Sequence, residues 1–370
     1  MTGREKIFAA LSPDGSAETP VVICYPGIFE RDHLGELTDL PWWRLHETDP
    51  ERRAAFHASL IRATDLDWYE LRGGHAGAEQ AAVTISEEAD GVYQRDARTG
   101  ERRKLEPPVV GGTLTTARGD APPITDLEAF LAERVPPPAP FRGVPTGCER
   151  LPALLKAALP DKYAFTWAGA PLWLLAGTLG YAEWFAGLAD DPAPLLRAAD
   201  RLLDGQLHGI AAAQALGADG IWIEDCLTDQ IGPDRYRRYH LPHLRALTDA
   251  IRAAGLHSIH YFCGNPWPVF DLLLESGADA LGLEESKKGF AIDIAAVAAR
   301  VNGRMTLLGN LDAIDLLEHG TDAALRAEIA RQRAAGRRNG HRFIQSLGSP
   351  VTPGTSVARV RAYAAMAREG

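Results

Sequence analysis

Histidine, cysteine and carboxylate side chains gather at the ends of short apolar runs in this 370-residue chain. The tightest grouping is His260-Tyr-Phe-Cys263-Gly264-Asn265. An imidazole and a thiolate suit Zn2+, and Glu224, Glu284 or Glu285 could complete a tetrahedral set. Spacing works against this in a regular strand, where residues three apart point to opposite faces. Both groups reach one ion only if the strand has already turned by Gly264. A second grouping, Glu224-Asp225-Cys226, offers a ligand, a general acid or a substrate-anchoring carboxylate. Its plainer reading is a helix start, with Thr228 or Asp229 ahead of Pro233 as a cap. Gly309-Asn310-Leu311-Asp312 is a polar loop, and Ser346–Thr352 is small enough for backbone amides to approach a ligand. Trp167 and Trp267 end apolar runs and could wall a pocket, although most tryptophans belong in cores. No GxxxxGK[ST] or GxGxxG pattern follows any run, so no nucleotide is expected.

These residues need elements to carry them. Eight short apolar runs read as strands: 21–25, 68–71, 163–167, 220–224, 258–262, 280–284, 306–309 and 343–347. Segments of helical period lie between the later ones, namely 233–254, 268–275, 292–301 and 322–336. Gly255, Gly277 and Gly336 stand where helix stops are expected. Strand–helix alternation to a count of eight predicts an α/β fold, a (β/α)8 TIM barrel. The alternation breaks once, at 81–116, where a β-hairpin-like insertion with a turn at Thr99–Gly100 sits between the second and third strands. The expected organisation is a single barrel domain over 1–370 carrying that insertion. Such a barrel places its site at the C-terminal strand ends. Those ends supply Tyr25, Glu70, Arg72, Trp167, Glu224, Asp225, Cys226, His260, Cys263, Glu284, Glu285, Asn310 and Ser349.

Composition narrows the function. The chain is 46% hydrophobic and carries a net charge of −10. No basic run or face stands out, which argues against a nucleic-acid partner or an anionic membrane surface. No apolar run approaches the ~18 residues of a spanning helix, and the N-terminus has no apolar signal region. Four dispersed cysteines without a CxxC pair suit a reduced, cytoplasmic enzyme.

The ordered set Gly3-Arg4-Glu5-Lys6, Ala168-Gly169-Ala170-Pro171, Glu224-Asp225-Cys226, His260 to Asn265, Leu308 to Asp312, His319-Gly320-Thr321 and Gly348 to Pro353 resembles the uroporphyrinogen decarboxylase superfamily. The resemblance is to its methylcobalamin- or corrinoid-dependent methyltransferase-like branch, and it implies the same (β/α)8 barrel. The decarboxylase branch carries an arginine-rich motif near the first strand. Here Cys24 to Asp32 holds only Arg31, and Ser349 stands where that branch places a histidine. The methyltransferase branch holds zinc with a His-x-Cys pair and a later Cys. Here one extra residue separates His260 from Cys263, and Ser349 again stands at the later position. A carboxylate would then replace the missing thiolate.

The resemblance implies a methyltransferase moving a methyl group between a small methylated or methoxylated compound, or a pterin, and a corrinoid protein. On this reading His260 and Cys263 hold zinc with Glu285 or Glu224. Asp225 and His260 are the catalytic pair, and Tyr25, Trp167, Asn310 and Ser349 bind substrate. Methylcobalamin would sit on the partner protein, and a homo-oligomer is compatible with all of this. The alternative is a metal-free lyase or decarboxylase of a small carboxylate using Asp225 and His260. A third possibility is a barrel that only binds a ligand.

Overall fold

The computed structural model describes residues 1–111, 124–287 and 289–369. Among the described residues ten strands run in chain order: β1 (Trp68–Glu70), β2 (Val83–Glu88), β3 (Gly91–Asp96), β4 (Glu101–Leu105), β5 (Tyr163–Gly169), β6 (Gly220–Cys226), β7 (His257–Cys263), β8 (Ala280–Leu283), β9 (Thr306–Leu308) and β10 (Phe343–Ile344). Seven of them form one parallel sheet in the order β1-β5-β6-β7-β8-β9-β10. The expected run 21–25 is not a strand. The N–H of Val21 goes to the Asp67 carboxylate at 2.7 Å, and Pro20 has no N–H to give, so the ladder there stays too short. The segment still joins the two edges. Val22 N–H bonds Gln345 O and Gln345 N–H bonds Pro20 O, while Asp67 N–H bonds Val21 O, each at 2.9 Å. The sheet therefore curls on itself as a TIM-barrel-like α/β fold.

Strand alternation sorts two cores. Trp68, Tyr163, Phe165, Trp222, Ile259 and Tyr261 fill the inside of the curl. Ile221, Ile223, Phe262, Leu281 and Leu283 face the helices and pack with Leu244, Leu247 and Ile251. The helix Gly3–Leu11 lies at the N-terminal strand ends. Thr2 and Glu5 form a capping box at its start. Its Phe8 stacks edge-on against Tyr163 and His257, and its Arg4 bonds Asp219 ahead of β6 at 2.9 and 3.1 Å.

Two helix readings change. The segment 233–254 is interrupted: residues Tyr236–His240 form a π-turn before the regular helix Leu241–Ala253. Pro242 explains it, because its missing N–H and its ring disrupt the preceding α-helical bonds. Gly336 is not a stop, since the helix runs Asp322–Arg338. A Cβ there would come within 2.5 Å of Phe343, so Gly336 permits close packing against β10. Between β1 and β5 the chain forms a three-stranded antiparallel sheet, β2-β3-β4. Residues 112–116 of the expected insertion lie outside the described residues.

Candidate active site

β6 and β7 bring most of the inner rim together. Glu224 and Cys226 are two apart on β6, as Tyr261 and Cys263 are on β7, so each pair shares the inner face. The strands are in register, with Glu224 opposite Tyr261 and Cys226 opposite Cys263. Glu224 is a hub. Its Oε1 accepts from Tyr25 Oη at 2.6 Å and from Cys226 Sγ at 3.1 Å, and its Oε2 accepts from Trp222 Nε1 at 2.8 Å. Burial raises the Glu224 carboxyl above its usual range, and these three donors oppose the rise. Burial also pushes the Tyr25 hydroxyl well up, so it remains a donor. Tyr25 has a left-handed backbone, φ 53°, just before the helix Pro26–Asp32. That turn lays its ring over Trp167 at 5.5 Å, with Trp222 and Tyr261 edge-on beneath. The result is an aromatic floor under a carboxylate and two thiols.

Asp225 and His260 stand elsewhere. They occupy the intervening strand positions, which face the helix layer, and both are fully buried. Asp225 Oδ2 receives His240 Nε2 at 2.9 Å and His260 Nε2 at 3.0 Å, and its Oδ1 accepts from Thr228 Oγ1 at 2.8 Å. Tyr236 Oη lies at 3.4 Å from Oδ2. Desolvation opposes the Asp225 charge, yet the two imidazoles more than offset it and hold the carboxyl well below its ordinary range. The expected catalytic pair, Asp225 and His260, thus faces the helix layer and ties β6 and β7 to the π-turn, while Glu224 faces the inner rim.

The remaining expected residues lie along the rim after β8, β9 and β10. Ser349 Oγ donates to Glu285 Oε2 at 2.6 Å, and Lys287 pairs with Glu285. Asn310 Nδ2 donates to the backbone carbonyls of Glu284 at 3.1 Å and Ile292 at 2.9 Å. Its amide clasps one loop to another. Glu285, Ser286, Asn310 and Asp312 also border a side cavity of about 500 Å³ that extends to Glu328 and Arg331. Across the mouth, Arg72 lies 3.3 Å from both Glu30 and Glu70. Burial lifts Glu30 to about 7, against the pull of Arg72.

The zinc set read from sequence does not fit. His260 and Cys263 lie on opposite faces of β7, as the spacing rule warned, because the strand continues through Cys263. His260 Nε2 is committed to Asp225. Glu285 sits apart from Glu224, held by Ser349 and Lys287. Among the described residues, no three His, Cys, Asp or Glu side chains are grouped to hold a metal ion. Sequence reasoning placed Cys226 at the rim without a role of its own and passed over Tyr261. The two-residue spacings Glu224–Cys226 and Tyr261–Cys263 were the signal that could have found them.

A curled parallel sheet with its polar residues at the C-terminal rim defines a TIM-barrel-like enzyme scaffold. Residues 105–370 match the model of the Uroporphyrinogen decarboxylase (URO-D) family, and the chain belongs to that family. It is 31% identical over 203 residues to a uroporphyrinogen decarboxylase of Xanthomonas euvesicatoria pv. vesicatoria, covering 50% of this chain and 54% of that protein. The chain thus spans about half the length of that curated relative. A uroporphyrinogen decarboxylase of Pseudomonas aeruginosa is 27% identical over 284 residues, covering 70% of this chain and 73% of its own. Among solved structures, a methyltransferase from Methanosarcina mazei superposes with a TM-score of 0.67 at 19% identity, covering 100% of this chain and 99% of that one. At that identity the likeness is one of fold.

Proposed function

We propose that this chain is a methyltransferase that moves a methyl group between a small methylated or methoxylated compound, or a pterin, and a corrinoid protein carrying methylcobalamin. The observation that carries the reading is the make-up of the inner rim. Tyr25 and Trp167 give an apolar, stacked floor, with Glu224, Cys226 and Cys263 above it. Methyl transfer needs a dry approach to a methyl carbon and a group to manage the proton of the atom left behind. Tyr25 and Trp167 exclude water on the floor side. Glu224 Oε1 accepts from Tyr25 Oη at 2.6 Å, a hydrogen bond along which a proton can pass at the mouth. Ser349 and Lys287 hold Glu285 on the stretch of rim after β8. The full-length fold likeness to the Methanosarcina mazei methyltransferase supports the same branch.

A polycarboxylate substrate suits this mouth poorly. Recognition of several carboxylates calls for uncommitted arginines, whereas Arg72 is already paired with Glu30 and Glu70. Decarboxylation of a smaller carboxylate is the second reading, favoured by the names of the curated relatives. Its acid–base group would be Glu224 with Tyr25, since Asp225 and His260 are buried behind the sheet.

The test is an anaerobic assay with two arms. In one, the protein meets cob(I)alamin and a methoxylated benzoate, or methylcobalamin and a tetrahydropterin, and the cobalamin spectrum is followed. In the other, release of CO2 from small carboxylates is measured. Methyl exchange with cobalamin that Glu224→Ala abolishes is the expected result. Release of CO2 without any change in the cobalamin spectrum would replace the first reading by the second.

A further inference from the structure

Both β6 and β7 end on a cysteine, and the two cysteines are direct partners in the parallel ladder. Neighbouring strands are spaced at about 4.8 Å, and a disulfide bridges Cα atoms roughly 4.4–6.8 Å apart. Both residues are only partly buried, on the inner rim. The chain leaves the ladder immediately after each, at Leu227 with φ 67° and Gly264 with φ 145°. Neither cysteine is therefore clamped by a following rung, and each can adjust its side-chain torsion. The other two cysteines are placed differently. Cys24 has no exposed surface, and Cys148 lies in the loop before the helix Arg150–Ala158. All four are thiols in this structure.

We propose that Cys226 and Cys263 form a redox-convertible dithiol, which a hydroperoxide oxidises to an intramolecular disulfide joining the ends of β6 and β7. Cys226 Sγ donates to Glu224 Oε1 at 3.1 Å, so a carboxylate stands beside it to take its proton. In the proposed order Cys263 supplies the attacking sulfur and Cys226 the resolving one. Its sulfur takes the terminal oxygen of the hydroperoxide, the O–O bond breaks, an alcohol or water leaves, and a sulfenic acid remains. The Cys226 sulfur then attacks that sulfenic sulfur while Glu224 Oε1 takes its proton, and water departs. Two thiols and one hydroperoxide become one disulfide, one alcohol and one water. The bond closes over the rim beside Glu224, so oxidation takes both thiols from the mouth. This chemistry stands whichever reaction the mouth catalyses.

The experiment uses the full chain, reduced, desalted without oxygen and exposed to a small excess of hydrogen peroxide. It is then denatured, alkylated and mapped by mass spectrometry. The expected result is that two of the four cysteines escape alkylation. They appear as one crosslinked peptide pair containing Cys226 and Cys263, and dithiothreitol restores both. In Cys226→Ser the resolving sulfur is gone, and a sulfenic-acid trap such as dimedone should label Cys263. Four alkylated cysteines after peroxide, or a crosslink between chains, would overturn the proposal. The wild-type map decides the matter even if the variant fails to fold. A disulfide that forms in a chain without methyl-transfer activity would sink the functional reading and leave this one standing.

Discussion

Asp225 Oδ2 is the acceptor for two buried imidazole nitrogens, His240 Nε2 and His260 Nε2. A buried charge of this kind is costly unless every partner stays in place, and removing one member costs roughly 3–5 kcal/mol. Asp225→Asn should therefore lower stability by roughly 3 kcal/mol, because a neutral amide replaces the charge toward which both imidazoles are directed. Activity per folded molecule should survive, since the group faces the helices. Thermal melts paired with assays below the transition check this, and a large loss of turnover at an unchanged melting temperature would return Asp225 to the catalytic role. Glu30 offers a pH test with the opposite sign. Its folded carboxyl is lifted to about 7 from 4.5. The folded state therefore binds more protons than the unfolded one between those values, and stability falls as pH rises through that window. Glu30→Gln should flatten the fall, gaining roughly 2 kcal/mol on the wild type at pH 8 compared with pH 5, after allowance for the Arg72 pairing. Denaturant titrations at the two pH values measure it, and parallel curves would contradict it. The residue types of this site were readable in the chain, Glu224 and Cys263 among them. The pairing of Cys226 with Cys263 was not, because it depends on the β6–β7 register, which links residues from distant parts of the sequence.

At the scale of elements, short apolar runs located the seven paired strands well, because both faces of a parallel strand are buried and the run stays apolar throughout. The failures have local causes. The run 21–25 lost its ladder when Asp67 took the Val21 N–H. The helix 233–254 gained a π-turn from Pro242, and that turn presents Tyr236 and His240 to Asp225. Periodicity shows that a helix exists, and it cannot show such a turn. The loop after β10 is the most tightly fitted part of the rim. A Cβ on Gly348 would fall 2.3 Å from Glu285 N and 2.4 Å from Glu285 Oε2. Gly348→Ala must therefore push this loop off the one after β8. Overpacking of this sort costs roughly 1–3 kcal/mol. The expected outcome is a lower melting temperature together with loss of activity, as Ser349 is drawn away from Glu285. An unchanged melting temperature would show that the two loops can separate freely.

Across the whole molecule, the sheet closes through a narrow seam. Residues 20–22 hydrogen-bond to Gln345 on one side and to Asp67 on the other. Asp67 also receives Arg368 from the C-terminal helix at 2.9 Å. Asp67→Ala removes both contacts and should loosen the seam before the rest of the barrel. Amide exchange should then speed up at residues 21–24 and 343–347 and stay slow in β5, β6 and β7. Uniform acceleration over all strands would mean that the barrel opens as one unit, with no weak seam. The seam has a further consequence for synthesis. Val22 leaves the ribosome roughly 320 residues ahead of Gln345. At roughly 5–20 residues per second, the apolar segment Val21–Cys24 waits about 15–60 s for its partner. During that interval its backbone groups lack the partner that closes the seam, so the barrel can shut only after residue 345 has emerged.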